Sequence, residues 1–166
     1  MSVPAEGARG SAAVSLRLLM VCLGNICRSP TAEAVMRQRL HVHGLHQRVV
    51  VDSAGTGAWH SGDPPDARSQ RHAMRRGYDL SGQRARRVVE ADFHRFDIVL
   101  AMDEDNLADL ERMKPTGARA ELRLFAAVEI PDPYQGGAQG FERVLDLAEQ
   151  ASDALINEIR GRLGTS

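Results

Sequence analysis

The sequence predicts an α/β fold, a three-layer sandwich in which a four-stranded parallel sheet carries helices on both faces. Two observations predict this class. Four short apolar runs with the character of buried strands recur along the 166 residues, and stretches with helical spacing separate them. Alternation of strands and helices favours a parallel sheet covered on both sides. In such folds ligands bind beyond the carboxyl ends of the strands.

Each predicted element has its own signature in the sequence. Pro30 suits the first turn of the first helix, with Ser29 before it as a capping residue. Glycines follow the first two helices as stop signals, and Lys114-Pro115 ends the third. The last helix repeats apolar residues at intervals of three and four. The predicted strands are 16–22, 48–53, 97–102 and 119–125, and the predicted helices are 30–43, 67–76, 103–113 and 139–163.

Composition limits the classes of function. Lys and Arg number 21 against 22 Asp and Glu, a net charge of −1, so charge gives no reason to expect nucleic acid or an anionic membrane as partner. Residues 1–15 are small and polar and predict a flexible tail before a single domain over 16–166. No apolar run is long enough for a membrane span. Two cysteines exclude a disulfide framework and favour the reducing cytoplasm, where we expect a monomer.

Both cysteines lie in one stretch, VCLGNICRSP, which covers residues 21–30. Cys22 closes the first predicted strand and Pro30 opens the first helix, so the residues between them must turn tightly at the carboxyl edge of the sheet. Backbone N–H groups in such a turn, together with the start of the helix, form a site for phosphate. Gly24 permits the sharp turn, and Asn25 tolerates a left-handed conformation. We therefore predict a phosphate-binding loop here.

Cys22 and Arg28 stand at C-x₅-R spacing within this loop. The loop donors would stabilise a Cys22 thiolate, which is a nucleophile at neutral pH. A guanidinium can hold two oxygens of a phosphoryl group at once. Taken singly, a strand-end cysteine is usually a small hydrophobe. Two cysteines without clustered histidines do not support a metal site, and their spacing does not fit a C-x-x-C redox motif.

Three motifs together resemble the low-molecular-weight protein tyrosine phosphatases. The motifs are Cys22-Leu-Gly-Asn-Ile-Cys-Arg-Ser-Pro30, Asp52-Ser-Ala-Gly55 and Asp132-Pro-Tyr134. The resemblance implies a cysteinyl-phosphate intermediate and no metal or other cofactor. It assigns Cys22 as nucleophile, Arg28 as phosphate clamp and Asp132 as general acid. It also implies that Ser29 donates a hydrogen bond to the thiolate, and that Asn25 and Ser53 brace the loop.

The remaining predicted site residues contact the substrate or modify the loop. Main-chain amides of the loop would hold the phosphoryl oxygens, and Trp59 and Tyr134 would flank a phenol ring. His60, beside Trp59, is the one histidine that merits a test. The resemblance implies that Ile26 favours phosphotyrosine, since relatives acting on phosphoarginine carry threonine there. The predicted substrate-binding residues are Leu23, Gly24, Asn25, Ile26, Cys27, Ser29, Trp59 and Tyr134.

Cys27 and Gln83 are two further positions near the predicted loop that the resemblance draws attention to. In relatives the second cysteine, here Cys27, can form a reversible disulfide with the nucleophile, which would protect it from irreversible oxidation. Gln83 stands where many relatives carry a histidine that supports the loop. An amide can still donate a hydrogen bond from that position.

The sequence thus predicts a protein tyrosine phosphatase whose substrate is a phosphotyrosine-containing protein, with a bacterial tyrosine kinase as one candidate. Three alternatives stay open. A phosphoarginine phosphatase would share the loop and the fold. An arsenate reductase needs a further downstream cysteine, and none follows Cys27. An inactive phosphopeptide-binding module would need neither a nucleophile nor an acid.

Overall fold

The computed structural model describes residues 13–164, so the predicted tail lies outside the described residues except for 13–15. All eight predicted strands and helices are present in this part of the chain, and each of their ends lies within two residues of the predicted one. They are β1 (Leu16–Cys22), α1 (Arg28–Val42), β2 (Val49–Gly55), α2 (Ala67–Arg75), α3 (Asp92–Arg95), β3 (Ile98–Ala101), α4 (Glu104–Met113), β4 (Glu121–Leu124) and α5 (Ala138–Leu163).

Two details differ from the prediction. The short helix α3 was not predicted, because four residues carry too little periodicity to be recognised. The assignment of Ser29 as the cap of the first helix is wrong. Helix α1 begins at Arg28 and its N-cap is Cys27. The Ser29 hydroxyl lies inside the first turn, where it contacts the side chains of Cys22 and Asn25 instead of a free backbone amide.

The four strands form one parallel sheet in the order β2-β1-β3-β4. The predicted fold class is therefore confirmed. Cys22 pairs with Gly55 in the neighbouring strand, and Val21 pairs with Ala101 on the other side. The carboxyl ends of the strands consequently meet at one edge, which is where the loop after β1 and the loops after β2 and β3 come together.

Alternate residues of β1 enter two separate cores. Leu18 and Met20 point to one face, which is covered by α1 and α5. Leu19 and Val21 point to the other, where Phe93 of α3 and Leu110 of α4 pack. Because side chains alternate across a strand, a central strand buried on both faces must be apolar throughout. This explains why LLMVC reads as an uninterrupted apolar run.

The close approach of two loops fixes the edge of the sheet. Gly55 lies so near the loop after β1 that a Cβ atom there would stand 2.6 Å from the carbonyl oxygen of Leu23. The amides of Thr56 and Gly57 donate to the carbonyl groups of Cys22 and Leu23. A glycine at position 55 is therefore required for the phosphate-binding loop to dock against β2.

Within residues 13–164, none of the helices combines the length with the apolar character that spanning a bilayer would require.

Candidate active site

The loop between β1 and α1 is held in shape by one asparagine. Asn25 adopts a left-handed conformation with φ of 58°, the one non-glycine positive φ among the described residues. Its side-chain amide donates to Ser29 Oγ at 2.8 Å and to Ser53 Oγ at 3.0 Å. Its side-chain oxygen accepts from the Arg86 amide at 3.0 Å. The predicted bracing contacts of Asn25 and Ser53 are thus present in the geometry.

Gly24 takes a different part from the one predicted. It does not adopt a positive φ, so the sharp turn is made by Asn25 instead. A Cβ atom at position 24 would lie 3.1 Å from the imidazole Cδ2 of His60. The absence of a side chain at Gly24 therefore lets the loop after β2 come close to the phosphate-binding loop.

Cys22 lies at the floor of the loop with its thiol surrounded by donors. The residue is 3 % exposed. Its Sγ is 3.1 Å from Ser29 Oγ, and the backbone N–H of Asn25 donates to it at 3.3 Å. The N-terminus of α1 begins six residues later, so its positive dipole end faces the same region. The Ser29 hydroxyl and the Asn25 backbone amide thus both lie within hydrogen-bond distance of the sulfur.

Cys27, like Cys22, is a buried free thiol. Burial raises the pKa of the Cys27 thiol to about 12, which outweighs the opposing hydrogen bond from the Ser69 side chain. A thiol with this pKa keeps its proton at neutral pH and is a poor nucleophile.

Arg28 is buried and held from two sides. Its Nη1 donates to Asp103 Oδ2 at 2.6 Å and to the Ile130 carbonyl at 2.9 Å, and its Nη2 lies 3.7 Å from Asp132 Oδ2. Burial acts to lower the pKa of the guanidinium, but Cys22 and the two carboxylates outweigh that effect and raise it. Arg28 therefore stays charged, with its Nε and Nη2 not hydrogen-bonded to any described residue.

Asp132 sits on the loop before α5, where it is partly open to solvent. Its side chain is 46 % exposed, and its Oδ1 accepts from the Tyr134 amide at 3.0 Å. Arg68 of α2 donates to the Tyr134 carbonyl at 2.8 Å and lies over the Tyr134 ring. A carboxyl group beside a pocket and only partly buried can both release and accept a proton.

These groups converge on one pocket of about 120 Å³. Two of the predicted substrate-binding residues, Asn25 and Ser29, do not line this pocket; their side chains hydrogen-bond to each other and brace the loop. Ile26 forms part of the pocket wall. Trp59 and Tyr134, 72 % and 42 % exposed, form a rim with His60, whose ring lies 6.1 Å from that of Tyr134. The pocket is lined by Cys22, Leu23, Gly24, Ile26, Cys27, Arg28, Trp59, His60, Asp132 and Tyr134.

A buried polar cluster supports the loop from below. Ser53 Oγ donates to Glu33 Oε1 at 2.7 Å, and Arg37 pairs with the same carboxylate. Burial raises the pKa of Glu33, against the opposing effects of Arg37 and Ser53. Gln83 Nε2 donates to the Pro30 carbonyl at 3.0 Å. The amide at position 83 therefore donates a hydrogen bond to the first turn of α1.

Two contributors to the site were not recognised from the sequence. Asp103 anchors Arg28, and Arg68 holds the loop that carries Asp132. Asp103 had a recognisable signal, because it directly follows the third apolar run and so must lie at the same sheet edge as Cys22. Arg68 had no such signal in the sequence, because it ends no predicted strand and its partner Tyr134 is 66 residues away.

Known proteins resemble this chain over nearly its full length. The family model for low molecular weight phosphotyrosine protein phosphatase matches residues 17–163. The low molecular weight protein-tyrosine-phosphatase of Streptomyces coelicolor is 41 % identical over 157 residues, 89 % of this chain and 95 % of that protein. The human low molecular weight phosphotyrosine protein phosphatase is 41 % identical over 149 residues, covering 85 % and 94 %.

A solved structure agrees with these sequence matches. The crystal structure of a protein tyrosine phosphatase from Entamoeba histolytica, with Hepes in the active site, aligns with a TM-score of 0.84 and 41 % identity. The alignment covers 90 % of this chain and 99 % of that one. Because a match of this extent and identity establishes family membership, this chain belongs to the low-molecular-weight protein tyrosine phosphatase family.

Proposed function

We propose that this chain hydrolyses phosphotyrosine in proteins through a phosphorylated Cys22, within one phosphatase domain over 16–166. The observation that carries the proposal is the environment of Cys22 Sγ. Ser29 Oγ lies 3.1 Å from the sulfur and the Asn25 amide donates to it at 3.3 Å, in a pocket that Arg28 and Asp132 also line. A nucleophile, a charge clamp and an acid together meet the needs of phosphoryl transfer.

In the first half-reaction the Cys22 thiolate attacks phosphorus opposite the tyrosyl oxygen. A new S–P bond forms while the P–O bond to tyrosine breaks, and Asp132 gives its proton to the departing oxygen. The loop amides and the free Nε and Nη2 of Arg28 hold the three equatorial oxygens. Acid assistance matters because a phenol has a pKa of about 10, so an unprotonated phenolate is a poor leaving group.

In the second half-reaction water replaces tyrosine. The ionised Asp132 takes a proton from the water as its oxygen attacks phosphorus, and the S–P bond breaks. Ser29 donates a hydrogen bond to the sulfur as it regains its negative charge. Inorganic phosphate leaves, and Cys22 and Asp132 return to their starting protonation states.

The pocket rim and Ile26 support phosphotyrosine as the substrate. Trp59 and Tyr134 can receive a flat aryl ring between their faces, and Ile26 forms part of the pocket wall beside Cys22 and Arg28. A bacterial tyrosine kinase remains one candidate for the phosphoprotein partner. We further propose that the chain acts as a monomer in the cytoplasm, where a reducing environment keeps its two cysteines as free thiols.

The decisive experiment is turnover of an aryl phosphate, followed by peptides carrying phosphotyrosine, phosphoserine or phosphoarginine under matched conditions. We expect turnover of the phosphotyrosyl peptide and loss of all turnover in Cys22→Ser. Asp132→Asn should lower kcat by roughly 10²–10⁴-fold for tyrosyl leaving groups. Full activity in Cys22→Ser would overturn the mechanism, a preference for phosphoarginine would overturn the substrate, and binding without phosphate release would identify a binding module.

A further inference from the structure

A second cavity of about 520 Å³ opens directly beside the catalytic pocket. The two share Leu23, Arg28 and Asp132 as a common wall. The far wall of the second cavity is one face of helix α4 together with its N-cap residue. The residues lining this far wall are Asp103, Asp105, Asn106, Ala108, Asp109 and Arg112.

This cavity carries an excess of negative charge. Four aspartates face two arginines across it, so two carboxylates are left without a balancing guanidinium. Asp103 pairs with Arg28 and Asp109 with Arg112. Asp105 makes no ion pair within residues 13–164 and is exposed. When Arg28 holds a phosphoryl group, its charge is shared with that anion, and the cavity becomes more attractive to a cation.

Helix capping explains only part of this arrangement. Asp103 is the N-cap of α4, since its Oδ1 accepts from the Asn106 amide at 2.7 Å, and Asp105 lies in the first turn, where a carboxylate favours the helix dipole. Asp109 lies a full turn further on and gains nothing from the dipole. On the cavity face it pairs with Arg112 one turn later, and it adds a second carboxylate beside Asp105.

Asn106 gives an independent indication of a ligand. The residue is 2 % exposed and lies in the cavity wall. Its side-chain oxygen has no hydrogen-bond partner among the described residues. Buried amide oxygens are nearly always satisfied, because an unpaired acceptor loses its hydration without compensation. An unpaired acceptor in a wall that also carries aspartates fits a ligand that is both cationic and rich in N–H donors.

The donor arrangement favours an organic cation over a metal ion. In the described part of the chain, no three carboxylate, imidazole or thiol groups converge closely enough to hold a metal. A guanidinium offers five N–H donors in a planar fork and suits several carboxylates together with an amide oxygen. An ammonium group offers three donors and the same charge.

We propose that this acidic cavity binds the arginine or lysine side chain of a residue close to the phosphotyrosine, so that the enzyme prefers basic phosphopeptides. The proposal rests on the proposed function, because it places the phosphotyrosine of the same peptide in the neighbouring pocket. The cavity contacts substrate but no reacting atom. It therefore acts in recognition, and its effect belongs mainly in KM.

The test uses phosphotyrosyl peptides with a single arginine at each of the two positions on either side of the phosphotyrosine. Matched peptides carry citrulline, which has the shape of arginine without its charge, or glutamate. The variant is the double substitution Asp105→Asn with Asp109→Asn. Glu111→Gln is the matched control, since it removes a charge from the same helix at an exposed position outside the cavity.

At one or more positions we expect arginine to exceed citrulline in kcat/KM by about threefold to tenfold, the size expected for one or two partly exposed ion pairs. The difference should appear in KM, shrink at high salt and vanish in the double variant. Glu111→Gln should keep it. Equal kcat/KM for arginine and citrulline at all four positions, or a preference that survives in the double variant, would overturn the proposal.

A small aryl phosphate distinguishes failure of the cavity proposal from failure of the proposed phosphatase function. Such a substrate does not reach the acidic cavity, so the double variant should turn it over as the unmodified protein does. If the unmodified protein does not turn it over, the proposed function is wrong. Dissociation constants of the same peptides, measured by calorimetry, then decide whether the cavity selects arginine over citrulline.

Discussion

Asn25 has a strained backbone conformation, and its side chain makes the hydrogen bonds that support the phosphate-binding loop. Its left-handed backbone would be easier for glycine, but a glycine would forfeit the hydrogen bonds to Ser29, Ser53 and the Arg86 amide. Asparagine tolerates a positive φ better than most residues because its short polar side chain can hydrogen-bond locally. The loop therefore uses the residue type that satisfies both demands.

The two cysteines should react at very different rates. At pH 6 to 7 we expect iodoacetate to modify Cys22 alone, because the Asn25 backbone amide donates to the sulfur of Cys22 in the open pocket, while burial raises the pKa of Cys27 to about 12. Mass spectrometry of proteolytic fragments measures which cysteine carries the label. Phosphate or vanadate should slow the reaction by occupying the loop.

Two controls accompany this labelling experiment. Cys22→Ser should take up no label while folded, and denaturant should expose Cys27 and allow its modification. Labelling of Cys27 at the rate of Cys22 in the folded protein would contradict the assigned difference between the two thiols.

Local chemistry explains which residues of the site could be predicted. Cys22, Asn25 and Arg28 were recognised because the loop that contains them is short and its turn is specified by neighbouring residues. The partners of Arg28 come from 75 and 102 residues along the chain. Spacing within one segment carries no information about such contacts, which depend on how the strands are ordered in the sheet.

At the scale of elements, the ends of the long helices were predicted within two residues. The start and end of α1 followed from Pro30 and Gly44, and those of α5 from its repeated apolar positions. The errors lie where side chains have tertiary partners. The hydroxyl of Ser29 is drawn to Cys22, so the start of α1 moves to Arg28. Helix α3 depends on packing of Phe93 in the second core and has no periodic pattern of its own.

Helix α2 should influence catalysis through Arg68. We expect Arg68→Met to lower kcat for phosphotyrosyl substrates by about tenfold, because loss of its bond to the Tyr134 carbonyl lets the Asp132 loop leave its working position. A substrate with a good leaving group needs little acid assistance and should be affected far less. Steady-state kinetics on the two substrate types measure this difference.

Arg71→Met is the matched control for Arg68, since Arg71 is an exposed arginine on the same helix. It should leave both substrates unaffected. An equal loss of kcat for good and poor leaving groups in Arg68→Met would show that Arg68 does not act through Asp132.

The start of the same helix depends on Asp66, whose carboxylate accepts from the amides of Arg68 and Ser69. We expect Asp66→Ala to lower the free energy of unfolding by about 1 kcal/mol at pH 7. Burial acts to raise the pKa of Asp66, but the hydrogen bonds from Arg68 outweigh it and hold the pKa below its ordinary value of 3.8.

Because the pKa of Asp66 is lower in the folded protein, its contribution to the free energy of unfolding decreases as the pH falls. The stabilisation by Asp66 is present above pH 3.8 and is lost as the pH falls through the lower pKa of the folded protein. Urea unfolding at several pH values measures the difference between the two proteins. Asp66→Asn, which keeps a capping oxygen, should lose less stability than Asp66→Ala at pH 7, and a penalty that stays constant into acid would contradict this account.

At the scale of the whole molecule, the phosphate-binding loop joins every layer. It leaves β1, enters α1, and is tied to β2 through Ser53, while Arg28 reaches Asp103 before α4 and the Ile130 carbonyl before α5. The sequence predicted the sheet and both helix layers from alternation alone. It could not predict these ties, because their geometry exists only when the strand order is known.

A bound oxyanion should therefore stabilise the entire fold. A ligand that binds only the folded state adds about 2.7 kcal/mol to the free energy of unfolding at a hundredfold excess over its Kd. We expect phosphate or vanadate to raise Tm in a concentration-dependent way, and Arg28→Met to abolish the rise because the anion loses its charged partner. Sodium chloride at equal ionic strength is the control, since general screening should not reproduce the effect. If chloride raised Tm as much as phosphate, or if Arg28→Met kept the response, the loop would not be the site at which the anion couples to folding.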